Sequence, residues 1–140
     1  MMQQTLDNFE VYVSDILQPG TMQELRTLRT QYTEKFITDL QYTSGVELVV
    51  NFMGVAEIQD LNQALNNDFN LGKLNFSRHF IARLISRFSM STVDFLMVRI
   101  RKRSAHCRKH KTERSSGDGI MLVMNPFTRE LITIFVDCRQ

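Results

Sequence analysis

The most constraining feature of this chain is a stripe of apolar residues at helical spacing. The stripe recurs at the short intervals of an α-helix and consists of Phe76, Phe80, Ile81, Leu84, Ile85 and Phe88. Residues at these intervals share one face of a helix, so the stripe must face a core. A chain of 140 residues, 43% of them hydrophobic, is long enough to supply that core. The sequence therefore predicts a single domain over residues 1–140 that contains this amphipathic helix.

Three polar residues lie on the shoulder of the same helix. His79, Arg83 and Arg87 follow one another at four-residue intervals, so their side chains stack along one side. An imidazole transfers protons near neutral pH, and a guanidinium group binds two phosphate oxygens at once. This arrangement indicates a site that handles a phosphodiester. The alternatives are a hydrogen-bonded structural histidine and arginines that pair with Asp94 or with carboxylates of the first half.

Charge divides the chain into two halves. Residues 1–70 hold three basic and ten acidic residues, a net charge of −7, whereas residues 71–140 hold fourteen basic and five acidic residues, a net charge of +9. Eight of the basic residues lie between Arg99 and Arg114. We therefore expect an acidic half (1–72) and a basic half (73–140), with the basic segment as the contact for a polyanion. The alternative is a solvated basic loop without a ligand.

The first half is predicted to be helical, with boundaries set by Pro, Gly and a capping-box pattern. A first helix is expected around 6–17 and stops at Pro19-Gly20, and a second runs from Thr21–Glu24 to about Tyr42. A break follows at Thr43–Gly45, and the segment 46–53 fits either a strand or a buried helix. A further helix is expected over 55–65.

The second half is predicted to end in paired strands. A capped helix is expected to start at Ser91–Asp94 and to lead through Ile100 into the basic loop. Apolar runs at 120–124 and 131–136, joined by a turn at 125–130, predict two strands. The predicted fold class is α+β, a helical N-terminal half packed with a small antiparallel sheet that ends in a C-terminal hairpin.

The pattern of Ser77, His79, Arg83 and Arg87 resembles the corresponding stretch of the RegB-type phage endoribonucleases. With the apolar strand, Asn-Pro-x-Thr turn and closing strand at 120–135, it is also similar to small RNase toxins with a RelE or barnase-like (BECR) core. The resemblance covers about residues 74–137, and residues 1–73 have no counterpart in it. It implies a RelE/barnase-like sheet and a metal-independent endoribonuclease that cleaves single-stranded RNA such as mRNA.

Such an enzyme uses the 2′-hydroxyl of its substrate as the nucleophile. The protein must then supply a base, an acid for the leaving oxygen, and cations for the charge on phosphorus. Our hypothesis assigns these roles to His79 as acid or base, Arg83 and Arg87 on the scissile phosphate, His110 or His106 as the second proton-transfer group, and Arg129 or Thr133 from the hairpin.

RNA is the expected partner, and the basic segment would hold it. The expected RNA-binding residues are Arg99, Arg101, Lys102, Arg103, Arg108, Lys109, Lys111, Arg114 and Arg129. The alternative is a non-enzymatic inhibitor or regulator whose basic loop grips nucleic acid while its acidic half docks another protein. A third interpretation is an oligomer in which acidic and basic halves of neighbouring chains meet.

No cofactor, metal or membrane association is expected. Cys107 lies beside His106 and His110, but no second ligand pair completes a zinc site, so Cys107 and Cys138 are interpreted as free thiols. The chain lacks a Gly-rich phosphate loop, a paired-carboxylate motif and a GxSxG elbow. It also lacks a basic leader and an apolar run of about 18 residues. We therefore expect a cytoplasmic protein of a bacterial or phage-infected cell.

Overall fold

The computed structural model describes residues 9–88, 90, 93–94, 97–98, 100, 113–117, 120–125, 128 and 130–136. The helices are α1 (Phe9–Val13), α2 (Pro19–Thr33), α3 (Asp39–Asn51), α4 (Val55–Asp68) and α5 (Arg78–Arg87). The strands are β1 (Asn75–Phe76), β2 (Glu113–Gly117), β3 (Ile120–Asn125) and β4 (Glu130–Val136). The backbone is also helical at Met90, Val93, Asp94, Met97, Val98 and Ile100.

Pro19-Gly20 begins a helix rather than ending one. Gln18 is the N-cap of α2, and Pro19 occupies the first turn, where its missing N–H is not needed. The expected capping role of Thr21 is therefore wrong, and its hydroxyl donates instead to Glu57 Oε1 at 3.2 Å. The helix ends at Thr33, well before the expected end near Tyr42.

The next helix, α3, starts with a capping box. Thr38 Oγ1 accepts the Gln41 N–H at 3.1 Å, and Gln41 Oε1 accepts the Thr38 N–H at 2.8 Å. The expected break at Thr43–Gly45 lies inside this helix. Gly45 allows α2 to pass closely, because a Cβ there would lie 2.8 Å from Leu28 Cδ2. The ambiguous segment 46–53 is helical as far as Asn51.

The amphipathic helix of the second half is confirmed as α5. Ser77 caps it by accepting the Phe80 N–H at 3.1 Å, and every residue of the apolar stripe is buried. The helix packs chiefly on α3, with further contacts to β4 and α1. The helix expected over 55–65 is likewise confirmed as α4.

Two asparagines of α4 hold the segment that leads into β1. Asn66 forms a pair of hydrogen bonds with Leu74, accepting its N–H and donating to its carbonyl, both at 2.8 Å. Asn62 Oδ1 accepts the Phe76 N–H at 2.6 Å. These side-chain amides replace a neighbouring strand along one edge of β1.

The four strands form one sheet in the order β1-β4-β3-β2. The short β1 pairs in parallel with the start of β4, through Asn75 with Glu130 and Phe76 with Leu131. The β2–β3 and β3–β4 pairs are antiparallel.

The predicted fold class is wrong, because helices dominate the described chain and the sheet is not a RelE/barnase-like one. Helices and the segments between them supply most of the buried apolar side chains that the structure describes, and Phe76 of β1 and Leu131 of β4 join them. The helical body meets the sheet at the two-residue parallel pair of β1 with β4 and through contacts of α5 with β4. The helix α5, which the resemblance expects to precede an antiparallel sheet, packs chiefly on another helix, α3.

Candidate functional site

The structure brings His79 of α5 to Glu47 of α3. His79 Nδ1 lies 2.9 Å from Glu47 Oε1, with the two side chains 39% and 33% exposed. The carboxylate orients the imidazole through Nδ1 and directs the other ring nitrogen, Nε2, away from itself. The spacing of the sequence predicted the position of His79 but not this partner, which lies 32 residues earlier.

Arg78, which sequence reasoning passed over, is what fixes this part of α5. Its Nη1 donates to the carbonyls of Val50 and Met53, each at 2.7 Å, and of Asn51 at 3.3 Å. The guanidinium adds a donor to carbonyls at the end of α3 and just beyond it. This contact seats the start of α5 on the end of α3 and so places His79 beside Glu47.

The two arginines that follow His79 are less constrained. Arg83 is partly buried and Arg87 is exposed. Among the described residues, neither forms an ion pair with a carboxylate, so the alternative interpretation of both as structural salt-bridge partners finds no support there.

The remaining predicted site residues are only partly covered. Arg114 in β2 and Thr133 in β4 both stand across from Val123 of the strand between them. The others lie outside the described residues and comprise Arg99, Arg101, Lys102, Arg103, His106, Arg108, Lys109, His110, Lys111 and Arg129.

A second cluster, centred on Glu10, was not predicted. Glu10 belongs to the short helix α1 and is 6% exposed. Its Oε1 accepts a hydrogen bond from the Tyr42 hydroxyl at 3.3 Å and lies 3.7 Å from Arg29 Nε. Burial raises the pKa of the Glu10 carboxyl from 4.5 to about 7, although Arg29, the Tyr42 hydroxyl and Arg26 act to lower it.

Stacked tyrosines hold Arg29 in this cluster. The rings of Tyr32 and Tyr42 are 4.5 Å apart and almost parallel. The Arg29 guanidinium carbon lies 6.0 Å from one ring centre and 5.8 Å from the other. Both distances are within the range of a cation–π interaction, so the aromatic pair restrains the arginine next to Glu10.

A cavity of about 330 Å³ opens beside this cluster. Its lining combines Glu10, Ser14, Thr30 and the α2 arginines Arg26 and Arg29 with the apolar side chains of Val11 and Met22. One feature of the sequence could have indicated this cavity. Arg26 and Arg29 are two of only three basic residues in the first seventy, and they share one side of a helix.

Exposed apolar side chains form a further feature. Phe36, Leu40, Leu48, Phe52 and Val55 are between 58% and 81% exposed, and we call them the 36–55 apolar surface. Leu48 and Phe52 are one turn apart at the end of α3. Leu48 also lines a groove of about 320 Å³ between α2 and α3, together with Leu28, Gly45 and Val49.

Three further observations bear on the class of site. The described residues contain no group of three or more His, Cys, Asp or Glu side chains placed to hold a metal ion. Within the same residues, no helix has the length and apolar character needed to cross a membrane. Comparison of the chain with protein-family models, curated proteins and solved structures finds no match.

Proposed function

We propose that this protein is a non-enzymatic binding module whose acidic helical half docks a basic amphipathic helix of a partner protein. The supporting observation is that exposed apolar side chains are concentrated in one segment of the chain. Five of the seven large apolar residues exposed in the described chain fall within residues 36–55. Single exposed apolar residues are ordinary on a protein surface, whereas a cluster of them marks an interaction site.

The form of the surface favours a helical occupant. Leu48 and Phe52 project from consecutive turns of α3, and the groove beside Leu48 has an apolar floor. An amphipathic helix buries side chains at three- and four-residue intervals in such a groove.

Charge favours a basic occupant. Residues 1–70 carry a net charge of −7, and Glu24 lies on the rim of the groove. Lys and Arg side chains that flank an apolar stripe would meet these carboxylates, which speeds encounter and fixes orientation.

Titration with a synthetic peptide tests the proposal. The probe is a Leu/Lys amphipathic helix of about four turns, and a Leu/Glu peptide of the same pattern is its control. We expect saturable binding of the Leu/Lys peptide, weakened about tenfold by Phe52→Ser. Val98→Ser, at a separate exposed valine, should leave the affinity unchanged.

Two results would contradict the proposal. Equal binding of the Leu/Lys peptide by the wild type and by Phe52→Ser would remove the 36–55 apolar surface from the contact. Self-association of the protein alone, abolished by Phe52→Ser in sedimentation experiments, would assign the surface to a second copy of this chain instead.

A second candidate function is the metal-independent endoribonuclease, and the His79–Glu47 pair favours it. A carboxylate that orients an imidazole is a common arrangement for acid–base catalysis, and Arg83 follows one turn later on the same side of α5. This candidate depends on side chains of α3 and α5 and does not require a RelE/barnase-like sheet.

Cleavage of labelled single-stranded RNA in EDTA tests this candidate. The wild type should produce cyclic-phosphate ends, His79→Ala should be inactive, and Glu47→Gln should be slower with an altered pH profile. Urea unfolding of each variant controls for loss of structure. Intact RNA after incubation with folded wild type would rule out this candidate.

A further inference from the structure

The cavity beside Glu10 has no role in the proposed docking or in RNA cleavage, yet its composition is typical of a ligand site. Its volume of about 330 Å³ lies at the lower end of the range for small-molecule pockets. Val11 and Met22 form an apolar wall, and Arg26 and Arg29 supply positive charge. An apolar wall with a few convergent polar groups fits a small amphipathic molecule.

We propose that this cavity binds a small organic carboxylate, with its charged group against Arg26 and Arg29 and its apolar part along Val11 and Met22. The two arginines lie three residues apart on α2, so their side chains reach the cavity from one side. Guanidinium groups bind carboxylates through paired hydrogen bonds, which suits them to this class of ligand.

The environment of Arg29 gives independent support. Arg29 Nε is buried and lies 3.7 Å from Glu10 Oε1, which is too far for a hydrogen bond. Within the described part of the chain this N–H has no acceptor. The guanidinium carries further N–H donors besides Nε, and a carboxylate bound in the cavity would accept from those that face it.

The other polar groups of the lining contribute less to recognition of the ligand than the arginines do. The Ser14 hydroxyl donates to the Val11 carbonyl at 2.7 Å, so its proton is already used within the protein. Among the described residues of the lining Glu10 is the only acidic one, so the two arginines give these residues a net positive charge whether or not Glu10 is ionised. The cavity therefore discriminates against cations at any protonation state of Glu10.

The Glu10 carboxyl makes this binding depend on pH. It faces Arg26 and Arg29 from α2 and Tyr42 from α3, and its pKa is raised to about 7. Below that pH the Glu10 carboxyl is neutral, and the lining carries the two positive charges of the arginines. Above that pH the ionised carboxylate cancels one of these two charges. Carboxylate binding should therefore strengthen as the pH falls through neutrality.

Titration with hexanoate, followed by NMR, tests the proposal. Hexanoate is ionised at about pH 5.5 and at about pH 8.5, and we expect about fivefold tighter binding at the lower pH. Glu10→Gln should bind equally at both pH values. Arg26→Gln should bind about fivefold more weakly, while Lys73→Gln, which removes the same charge at an exposed site outside the cavity, should match the wild type.

An uncharged probe of the same shape completes the design. Hexanol should bind more weakly than hexanoate and without pH dependence. Equal binding of hexanol and hexanoate would overturn the proposal, as would unchanged hexanoate affinity in Arg26→Gln or no saturable binding by the folded wild type at either pH. None of these results bears on the 36–55 apolar surface, so the outcome is independent of the proposed docking function.

Discussion

Glu10 and Glu57 are buried to nearly the same degree, with 6% and 5% of their surface exposed, but they meet different environments. Glu57 accepts the Gln18 N–H at 2.8 Å and the Thr21 hydroxyl at 3.2 Å, both at the start of α2. Glu10 has a longer contact of 3.3 Å from the Tyr42 hydroxyl and a loose approach to Arg29, beside a cavity.

The difference shows that the hydrogen-bond donors around a buried glutamate determine its role more than the extent of its burial does. At Glu57, the side-chain oxygens accept two hydrogen bonds from the start of α2, so this residue serves the fold by joining α4 to α2. At Glu10, burial disfavours the ionised form of the carboxyl. Under this condition, protonation of the carboxyl and binding of a ligand become linked. The first glutamate is structural, and the second belongs to a candidate site.

The largest expected effect is on stability at alkaline pH when Glu10 is neutralised. In the folded protein the pKa of Glu10 is about 7 rather than 4.5, so the folded state holds the proton more tightly than the unfolded chain. Stability contributed by this group is therefore lost as the pH rises from about 4.5 to about 7. Urea unfolding at about pH 8 should show Glu10→Gln to be more stable than the wild type by up to about 3 kcal/mol.

The same measurement at about pH 4 provides the control, because there Glu10 is protonated in both states and the advantage should vanish. Asp15→Asn removes a carboxylate from an exposed position nearby and should show no such pH-dependent gain. A Glu10→Gln variant that is less stable at alkaline pH would mean that the two buried glutamates are alike after all.

Sequence reasoning succeeded where structure is decided locally. The α5 helix was predicted because its apolar stripe is encoded within about a dozen neighbouring residues. Pro19-Gly20 was misread because a proline that ends one helix also fits the first turn of the next. Thr21 resembles an N-cap in sequence, and only Glu57, 36 residues later, accounts for its actual partner.

The sequence predicted only those parts of the candidate sites that lie on a single helix. The spacing of His79 and Arg83 put them on the shoulder of α5, but Glu47 comes from a distant turn of α3. The Glu10 cluster takes Glu10 from α1, Arg29 and Tyr32 from α2, and Tyr42 from α3, so no local sequence pattern predicts it. The segment 46–53, which the sequence left open between a strand and a buried helix, is helical as far as Asn51 because it packs between α2 and α5.

The second-largest effect is expected at Glu57 and has the opposite sign. Glu57→Ala would leave the partly buried Gln18 N–H and the Thr21 hydroxyl without this acceptor. We expect a loss of about 2 kcal/mol in the free energy of unfolding near neutral pH. Asp60→Ala, at an exposed position one turn along the same helix, is the matched control and should change stability little. An equal, small effect of both substitutions would show that Glu57 does not anchor α2.

The smallest expected effect concerns the hydrogen bond from Tyr42 to Glu10. The Tyr42 hydroxyl donates to Glu10 Oε1 and lowers the pKa of that carboxyl, although less than burial raises it. Tyr42→Phe keeps the aromatic ring that stacks on Tyr32 and removes only the donor. We expect a loss of about 1 kcal/mol in stability, and a pKa of Glu10 above about 7 when its titration is followed by NMR. A Glu10 pKa that instead falls in Tyr42→Phe would mean that the hydroxyl does not favour the ionised carboxyl, and the contrast with the well-satisfied Glu57 would need another cause.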